Sequence, residues 1–168
     1  MPLLIGSWSP RLTALAAERA DELKLGGSAN PAMVRLTRAR LGPAGVGVVV
    51  GAVTVVDSDG GRARDHARRR VAMYLDVVGA LDPTVELDPD LLSALSERLR
   101  AGDRSGAASL VSDDVLDLFA FSGTPDQVAE QARALFDAGA RRVDFGSPHG
   151  LDERTGVELL VHEVVPRL

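Results

Sequence analysis

A short apolar segment followed at once by a helix start recurs along this chain and restricts the folds open to it. Residues 3–5 form the first such segment, and Ser9-Pro10 reads as an N-cap followed by proline at the first helical position. Asn30-Pro31 repeats the arrangement after residues 23–26. Strands alternating with helices in this way predict an α/β fold with a parallel sheet and right-handed crossovers.

The remaining elements follow from apolar spacing and helix-start residues. Residues 46–56 form the clearest predicted strand, because they are β-branched and apolar on both faces. A last strand is predicted over 142–147, with a loop at 148–150. Thr124 marks the best-defined helix start, since proline follows it and Gln127 can close a capping box. Helices are predicted over residues 10–23, 31–41, 62–81, 89–102, 125–139 and 154–165.

The segment over 85–120 has no matching strand and is interpreted as a helical insertion outside the repeating pattern. We therefore predict a single domain over residues 1–168 with four parallel strands. Four such strand–helix units make either a small open sheet or half of an eight-stranded barrel, and composition alone leaves both open.

Charge argues against two classes of partner. The formal net charge is −5, which disfavours nucleic acid or an anionic membrane as the main partner. Five arginines nevertheless cluster on one predicted helix, where we interpret them as a solvated face. They are Arg62, Arg64, Arg68, Arg69 and Arg70.

The chain has no cysteine, which removes disulfides, thiolate metal sites and cysteine nucleophiles and fits a reducing compartment. No cluster of histidines or carboxylates has ligand spacing, so we expect no metal. The longest apolar run, 46–56, is too short to span a bilayer, and we expect no signal peptide after Met1. The expected location is the cytoplasm.

The turn after the first strand has the chemistry of a phosphate site. Gly6, Ser7 and Ser9 lie between the strand and the helix start. A helix N-terminus presents free N–H groups and a positive dipole end to a bound anion. Glycine lets the backbone approach the ligand, and Arg11 can add a charge-assisted contact.

Three passages together resemble the luciferase-like monooxygenase superfamily, and especially its coenzyme F420-dependent (deazaflavin) reductases such as those acting on methylenetetrahydromethanopterin. They are Pro-Leu-Leu-Ile-Gly-Ser-Trp-Ser-Pro-Arg-Leu over 2–12, Phe-Ala-Phe-Ser-Gly-Thr-Pro-Asp-Gln-Val over 119–128, and Val-Asp-Phe-Gly-Ser-Pro-His-Gly over 143–150. The resemblance covers nearly the whole chain. It implies an F420 cofactor, with FMN as the alternative.

Family members are complete TIM (β/α)₈ barrels of roughly 250 residues or more. The resemblance therefore implies that this chain is the C-terminal half of such a barrel, with its strands as the fifth to eighth. The missing half carries most of the family's substrate and acid–base residues, so no catalytic residue is assigned. Cofactor-binding residues are implied at the carboxyl ends of the strands: Gly6, Ser7, Trp8, Ser9, Arg11, Gly26, Gly27, Ser28, Ser147 and His149. Further positions at these strand ends are Thr54, Gly146 and Pro148.

Several of these residues also have a purely structural interpretation. Ser9 can cap its helix, a role compatible with phosphate contact. Trp8 can pack in the core, cover a sheet edge or form a cofactor wall. His149 can contact a ligand or lie in an exposed loop. Asp144 alternates with apolar neighbours, so it points into a barrel interior, where it needs a partner, or lies at the rim.

Two functions of different classes follow. The first is a flavin- or deazaflavin-dependent oxidoreductase or monooxygenase acting on a small molecule, of which this chain supplies the cofactor-phosphate half. The second is a non-catalytic half-barrel that serves as an assembly module. Four parallel strands leave two unpaired edges, which a homodimer or a separate N-terminal half-barrel would cover.

Overall fold

Five parallel strands form one sheet in the computed structural model, which describes residues 1–168. They are β1 Leu4–Gly6, β2 Glu22–Gly26, β3 Gly47–Val56, β4 Ala120–Gly123 and β5 Ala140–Gly150. The central strand is β3, which pairs with β2 along its first half and with β4 along its last four residues. The strand β5 pairs with β3 along residues Val48 to Val56. The main run across the sheet is therefore β1-β2-β3-β5.

Nine α-helices connect and cover these strands. They are α1 Pro10–Arg19, α2 Pro31–Leu41, α3 Gly60–Val71, α4 Leu75–Leu81, α5 Pro89–Arg100, α6 Arg104–Ser109, α7 Asp113–Phe119, α8 Pro125–Asp137 and α9 Glu153–Leu159. A π-helical turn, Leu160–Val164, and a 3₁₀ turn, Val165–Arg167, follow α9. None of these helices has the length and apolar character needed to cross a bilayer.

The helix starts agree with the local sequence, with one informative exception. At α8, Thr124 and Gln127 form the predicted capping box. At α2, the Asn30 side chain accepts a hydrogen bond from the Ala32 amide at 2.9 Å. At α1, Ser9 occupies the N-cap position but its side chain makes no capping bond. The first turn of α1 is therefore left without a side-chain cap.

The helices α1, α2 and α8 cover one face of the sheet. On β3, Val48, Val50 and Ala52 point into this core, and Leu23 and Leu25 of β2 do the same. A second core forms where Val55 and Phe119 meet the helices of the insertion.

The opposite face of the sheet is charged. Because side chains alternate along a strand, Glu22 and Lys24 on β2 and Arg142 and Asp144 on β5 point away from the helical core. We call this surface the open face, defined by Glu22, Lys24, Arg142 and Asp144.

The α/β fold with a parallel sheet is confirmed, but the structure has one strand more than the four expected. We missed β4 because it has only four residues, Ala-Phe-Ser-Gly, without a β-branched side chain. It becomes a strand by pairing with the carboxyl end of β3, beyond the point where β2 stops. The helical insertion is confirmed as α5, α6 and α7.

Three predicted boundaries were wrong. The first helix ends at Arg19 rather than residue 23, because Ala20 is extended and the Asp21 carboxylate accepts a hydrogen bond from the Leu3 amide at 2.7 Å. The helix predicted over 62–81 is interrupted near Tyr74, whose hydroxyl donates to the Phe119 main-chain oxygen at 2.9 Å. The loop predicted at 148–150 is part of β5.

Candidate functional site

The carboxyl ends of β1, β2, β3 and β5 lie along one edge of the sheet, because all of these strands are parallel. Adjacent strands are about 4.8 Å apart, so β1 and β5, three steps apart, are separated by about 14 Å. The candidate residues therefore line one rim in two groups: residues 6–11 with 26–28, and residues 147–149.

The first strand end is tied to the second. The Ser7 amide donates to the Lys24 main-chain oxygen at 3.0 Å, and the Trp8 indole donates to the Gly26 oxygen at 3.1 Å. The Ser7 hydroxyl accepts from the Ser9 amide at 3.0 Å. Trp8 is half-buried against the helical core, so its packing role and its bridging role coexist.

The outer part of this turn is open to solvent. Gly6, Ser9 and Arg11 are exposed, and Arg11 makes no ion pair. With no side-chain cap on α1, the hydroxyl of Ser9 and the helix-start amides stay available to an anion.

The second strand end is held against β3. The amides of Gly27 and Ser28 both donate to the Gly51 oxygen, at 2.6 and 3.2 Å. Gly27 has a φ of 79°, and a Cβ there would lie 2.9 Å from Val78. Ser28 is fully buried, and its hydroxyl accepts from the Asn30 amide at 3.2 Å. It therefore supports the turn from beneath.

A buried carboxylate anchors the same turn. Asp82 is 2% exposed and accepts from the Asn30 side-chain amide at 2.9 Å. Its other oxygen accepts from the amide of Thr84 at 2.9 Å and from the Thr84 hydroxyl at 2.6 Å. These bonds replace the water that the carboxylate loses on burial, and they fix the start of α2 against the loop after α4.

The last strand end is irregular. Gly146 lies opposite Val53 and His149 opposite Val55, so Ser147 and Pro148 form a bulge joined by a cis peptide bond. Ser147 is exposed. His149 has a φ of 73°, is partly buried, and has its Nε2 3.1 Å from the Phe145 oxygen. The exposed-loop interpretation of His149 was therefore wrong. Thr54, in turn, is fully buried within β3 rather than at the rim.

A cavity of about 380 Å³ opens between β2, β3, β5 and α4. Much of its floor is main chain, since four of its lining residues are glycines. Tyr74, the residue before α4, and Val78 of α4 form an apolar side, and Lys24 and Asp144 bring charge. The glycines are Gly26, Gly27, Gly51 and Gly146. Of the residues assigned from the sequence, Gly26, Gly27 and Gly146 line it.

Sequence reasoning missed six of the lining residues: Lys24, Gly51, Ala52, Val53, Tyr74 and Val78. Side chains alternate along β2, so Lys24 lies on the other face of the sheet from the core residues Leu23 and Leu25. This alternation was the signal in the sequence that could have identified Lys24. Tyr74 lies at the N-cap of α4, a helix whose position relative to the sheet only the fold reveals. Burial raises the pKa of the Tyr74 phenol, so that group stays protonated.

The charges of the open face form a chain of ion pairs. Lys24 Nζ lies 2.7 Å from Asp144 Oδ2, and Arg142 Nε lies 3.2 Å from Asp144 Oδ1. Arg142 also reaches Glu22 at 3.2 Å. The predicted barrel-interior position of Asp144 thus has its partners. Gly51 leaves the gap over β3, since a Cβ there would lie 3.3 Å from Lys24 Cε and 3.2 Å from Asp144 Cβ.

The arginine cluster on α3 is not simply a solvated face. Arg64 bonds to Asp117 at 2.7 Å and to Asp113 at 2.9 Å. Arg68 pairs with Asp113 and with Asp65. Only 16% of the Arg64 side chain and 20% of the Arg68 side chain are exposed, so these two arginines join α3 to α7.

The sequence and the fold both match known proteins. A family model described as "Luciferase-like monooxygenase" matches residues 1–142. The chain is 34% identical over 185 aligned positions to 5,10-methylenetetrahydromethanopterin reductase from Archaeoglobus fulgidus, and 27% identical over 176 to that from Methanopyrus kandleri. These alignments cover 100% and 99% of this chain but 54% and 50% of the relatives. The chain thus spans about half the length of the curated relatives it matches.

Solved structures agree on the fold. The coenzyme F420-dependent tetrahydromethanopterin reductase from Methanopyrus kandleri superposes with a TM-score of 0.86 at 24% identity, over 99% of this chain and 50% of that one. The monooxygenase RslO1 from Streptomyces bottropensis superposes with a TM-score of 0.53 at 18% identity, over 98% of this chain and 47% of that one. The fold of this chain therefore matches about half of a luciferase-family reductase.

Proposed function

The chain belongs to the luciferase-like monooxygenase family, and on that premise we propose that it supplies the C-terminal, cofactor-phosphate half of an F420-dependent oxidoreductase. FMN is the alternative cofactor. The observation that carries the proposal is the uncapped start of α1 beside an exposed, unpaired Arg11. A cytoplasmic location stays a prediction.

The residues at the first strand end fit a phosphate. The Ser9 side chain is free of a capping bond, and the α1 amides point out of the helix end. Arg11, in the first turn, adds a positive charge without a competing carboxylate. Trp8 links this turn to Gly26, which lines the cavity. A phosphate at the turn and a ring in the cavity are thus two ends of one site.

The cavity fits the ring of such a cofactor in size and surface. Its volume lies within the usual range for ligand sites, about 300–1,000 Å³. Glycines let a flat ring approach the main chain closely. When bound, F420 supplies the hydride chemistry. This chain's residues orient the ring, and Tyr74 and Val78 shield one side from water.

The second group of candidate residues, Ser147 and His149, lies across β3 from the phosphate turn. We propose that they contact the cofactor from that side of the site. The curated relatives are named for methylenetetrahydromethanopterin reduction, which indicates a small-molecule substrate for the complete barrel.

A partner would complete the barrel. Within the sheet, β1 pairs only with β2, and β5 pairs only with β3, so each has one unpaired edge. Exposed parallel edges are normally covered. We propose either a homodimer or a separate N-terminal half-barrel as the cover. The same edges favour the second candidate function, a non-catalytic assembly module.

Titration of the purified chain with F420 tests the cofactor proposal. Trp8 is the only tryptophan, so its fluorescence reports on the phosphate turn. We expect saturable quenching and a Kd raised about ten-fold or more by Arg11→Ala, the effect of losing a charge-assisted bond. Arg19→Ala, at the far end of α1, is the matched control and should bind as wild type. Absence of quenching by F420 and FMN would refute cofactor binding by the lone chain.

Light scattering tests the assembly proposal. A mass of two chains, or binding of a separately expressed N-terminal half, supports it. A chain that stays monomeric and does not bind the N-terminal half would refute both pairing arrangements.

A further inference from the structure

Lys24 stands out by its chemistry. It is the only lysine in a chain whose lysines and arginines total 19. It lies on the open face and lines the cavity together with four glycines. A lysine ammonium is a compact charge on a flexible stem, whereas arginine is a planar fork suited to fixed pairing.

The Lys24 ammonium has unused hydrogen-bonding capacity. It donates to Asp144 Oδ2 at 2.7 Å and to no other protein group. An ammonium carries three donors, so two remain for a ligand. The side chain is 36% exposed, and an ion pair this exposed contributes little to stability. Lys24 can therefore turn toward a ligand at small cost.

Asp144 does not depend on Lys24 alone for its neutralisation. Arg142 Nε lies 3.2 Å from the other oxygen of Asp144 and stays in place if Lys24 moves. A negatively charged ligand group next to Lys24 therefore meets a carboxylate that already has a counter-ion. On the open face, Asp144 can therefore serve as the partner of Lys24 in the absence of a ligand without repelling an anion from the cavity.

The shape of the cavity defines the ligand class. Gly26, Gly27 and Gly51 leave much of the floor to main chain. Val53, Tyr74 and Val78 present apolar side chains to the cavity. A flat ring suits such a slot. Lys24 and Asp144 form the charged end of the cavity, and their ion pair lies directly above Gly51.

We propose that Lys24 recognises a negatively charged oxygen at the edge of a flat heterocycle in this cavity, and that Asp144 is its resting partner. This inference rests on the proposed function, which it extends from the phosphate turn to the ring. Lys24 is thereby a specificity-determining residue for the ring.

The single lysine permits a direct test in the wild-type chain. Reductive methylation with ¹³C labels Lys24 and the Met1 α-amine and keeps the lysine charge. The dimethylated Lys24 nitrogen keeps one N–H donor, which can leave Asp144 for a ligand oxygen. The probe is 8-hydroxy-5-deazariboflavin, the F420 ring without its phosphate. We expect the Lys24 methyl resonance to shift saturably with this probe, while the exposed Met1 resonance serves as the internal control and stays fixed.

Variants separate recognition from structural support. Lys24→Met should weaken binding of the phosphate-free ring about ten-fold or more, and Lys24→Arg should retain part of it. Asp144→Asn releases Lys24 and should keep or strengthen ring binding, whereas a purely structural pair predicts weaker binding in both variants. Unfolding curves check that each variant is folded.

The outcomes distinguish the two proposals. If F420 quenches Trp8 but the Lys24 resonance does not move and Lys24→Met binds the ring as wild type, the Lys24 inference is overturned and the phosphate site stands. If the ring shifts Lys24 but Arg11→Ala has no effect on F420, the phosphate assignment fails and the Lys24 inference stands. If neither ligand produces a change, both are overturned.

Discussion

The indole nitrogen of Trp8 lies 3.1 Å from the main-chain oxygen of Gly26, to which it donates a hydrogen bond. This bond joins the phosphate turn after β1 to the cavity rim at the end of β2. It makes Trp8 both a packing residue and the physical link between the two parts of the candidate site.

Replacing Trp8 with phenylalanine tests this link. The ring packing is largely kept but the hydrogen bond is lost, so we expect a loss of about 1 kcal/mol in the free energy of unfolding. We also expect weaker F420 binding, because the turn is no longer tied to Gly26. Urea unfolding followed by circular dichroism and the fluorescence of F420 itself provide the measurements. Unchanged values for both would contradict the bridging role.

Gly27→Ala should destabilise the chain through two effects. The positive φ disfavours a side chain, and the new Cβ would lie 2.9 Å from Val78 Cγ1. We expect a loss of about 1–3 kcal/mol in the free energy of unfolding. Gly102→Ala is the matched control, because Gly102 has a φ of 76° with open space around it. Equal losses in the two variants would show that Val78 yields freely.

Gly51→Ala should disturb the Lys24–Asp144 pair with a smaller effect on folding. A Cβ would lie 3.2 Å from Asp144 Cβ and 3.3 Å from Lys24 Cε, so both side chains must shift by a few tenths of an ångström. We expect a change in the Lys24 methyl resonance and a loss of stability of about 1 kcal/mol. An unchanged resonance would show that the gap over β3 is not needed for the pair.

Asp82→Ala should cost about 1–3 kcal/mol, because it removes the acceptor for the buried Asn30 amide and for both Thr84 donors. Asp82→Asn keeps the shape and should cost less. Urea unfolding measures both. A larger loss for asparagine than for alanine would contradict the anchoring role of the carboxylate.

Acid should weaken the contact between α3 and α7. The Arg64 guanidinium lowers the pKa of Asp113 below its ordinary value of 3.8, with a smaller contribution from Arg68. A lowered folded-state pKa adds stability that is complete above about 3.8 and is lost as pH falls through the folded value. Asp113→Asn should therefore flatten the dependence of melting temperature on pH below 4. Asp114→Asn, in the same helical turn but without an ion pair, is the control, and an identical pH profile for the two would exclude the Asp113 contribution.

Local sequence predicted the elements whose own residues determine them. The β-branched run of β3 and the Thr124–Gln127 capping box needed no tertiary information. The common rim followed from strand–helix alternation. In contrast, β4 forms because β3 has an unpaired edge there. The helix predicted over 62–81 is interrupted near Tyr74, whose hydroxyl bonds to the Phe119 main chain. Neither partner is visible in local spacing.

The candidate site divides in the same way. The turn at residues 6–11 is contiguous, so its phosphate chemistry was readable from the chain. The pairing of Lys24 with Asp144 joins residues 120 positions apart, and it depends on the missing side chain at Gly51 between them. Alternation indicates which face a residue occupies, but only the sheet register brings two charges into contact.

The place of β4 beside β3 gives the insertion a modular character. Because β4 uses only the end of β3 that β2 leaves free, the segment between α3 and β4 can change in length or sequence without reordering β1, β2, β3 and β5. That segment nevertheless contributes Tyr74 and Val78 to the cavity. Exchanging this one peripheral segment thus offers a route to new ligand preference while the sheet stays unchanged.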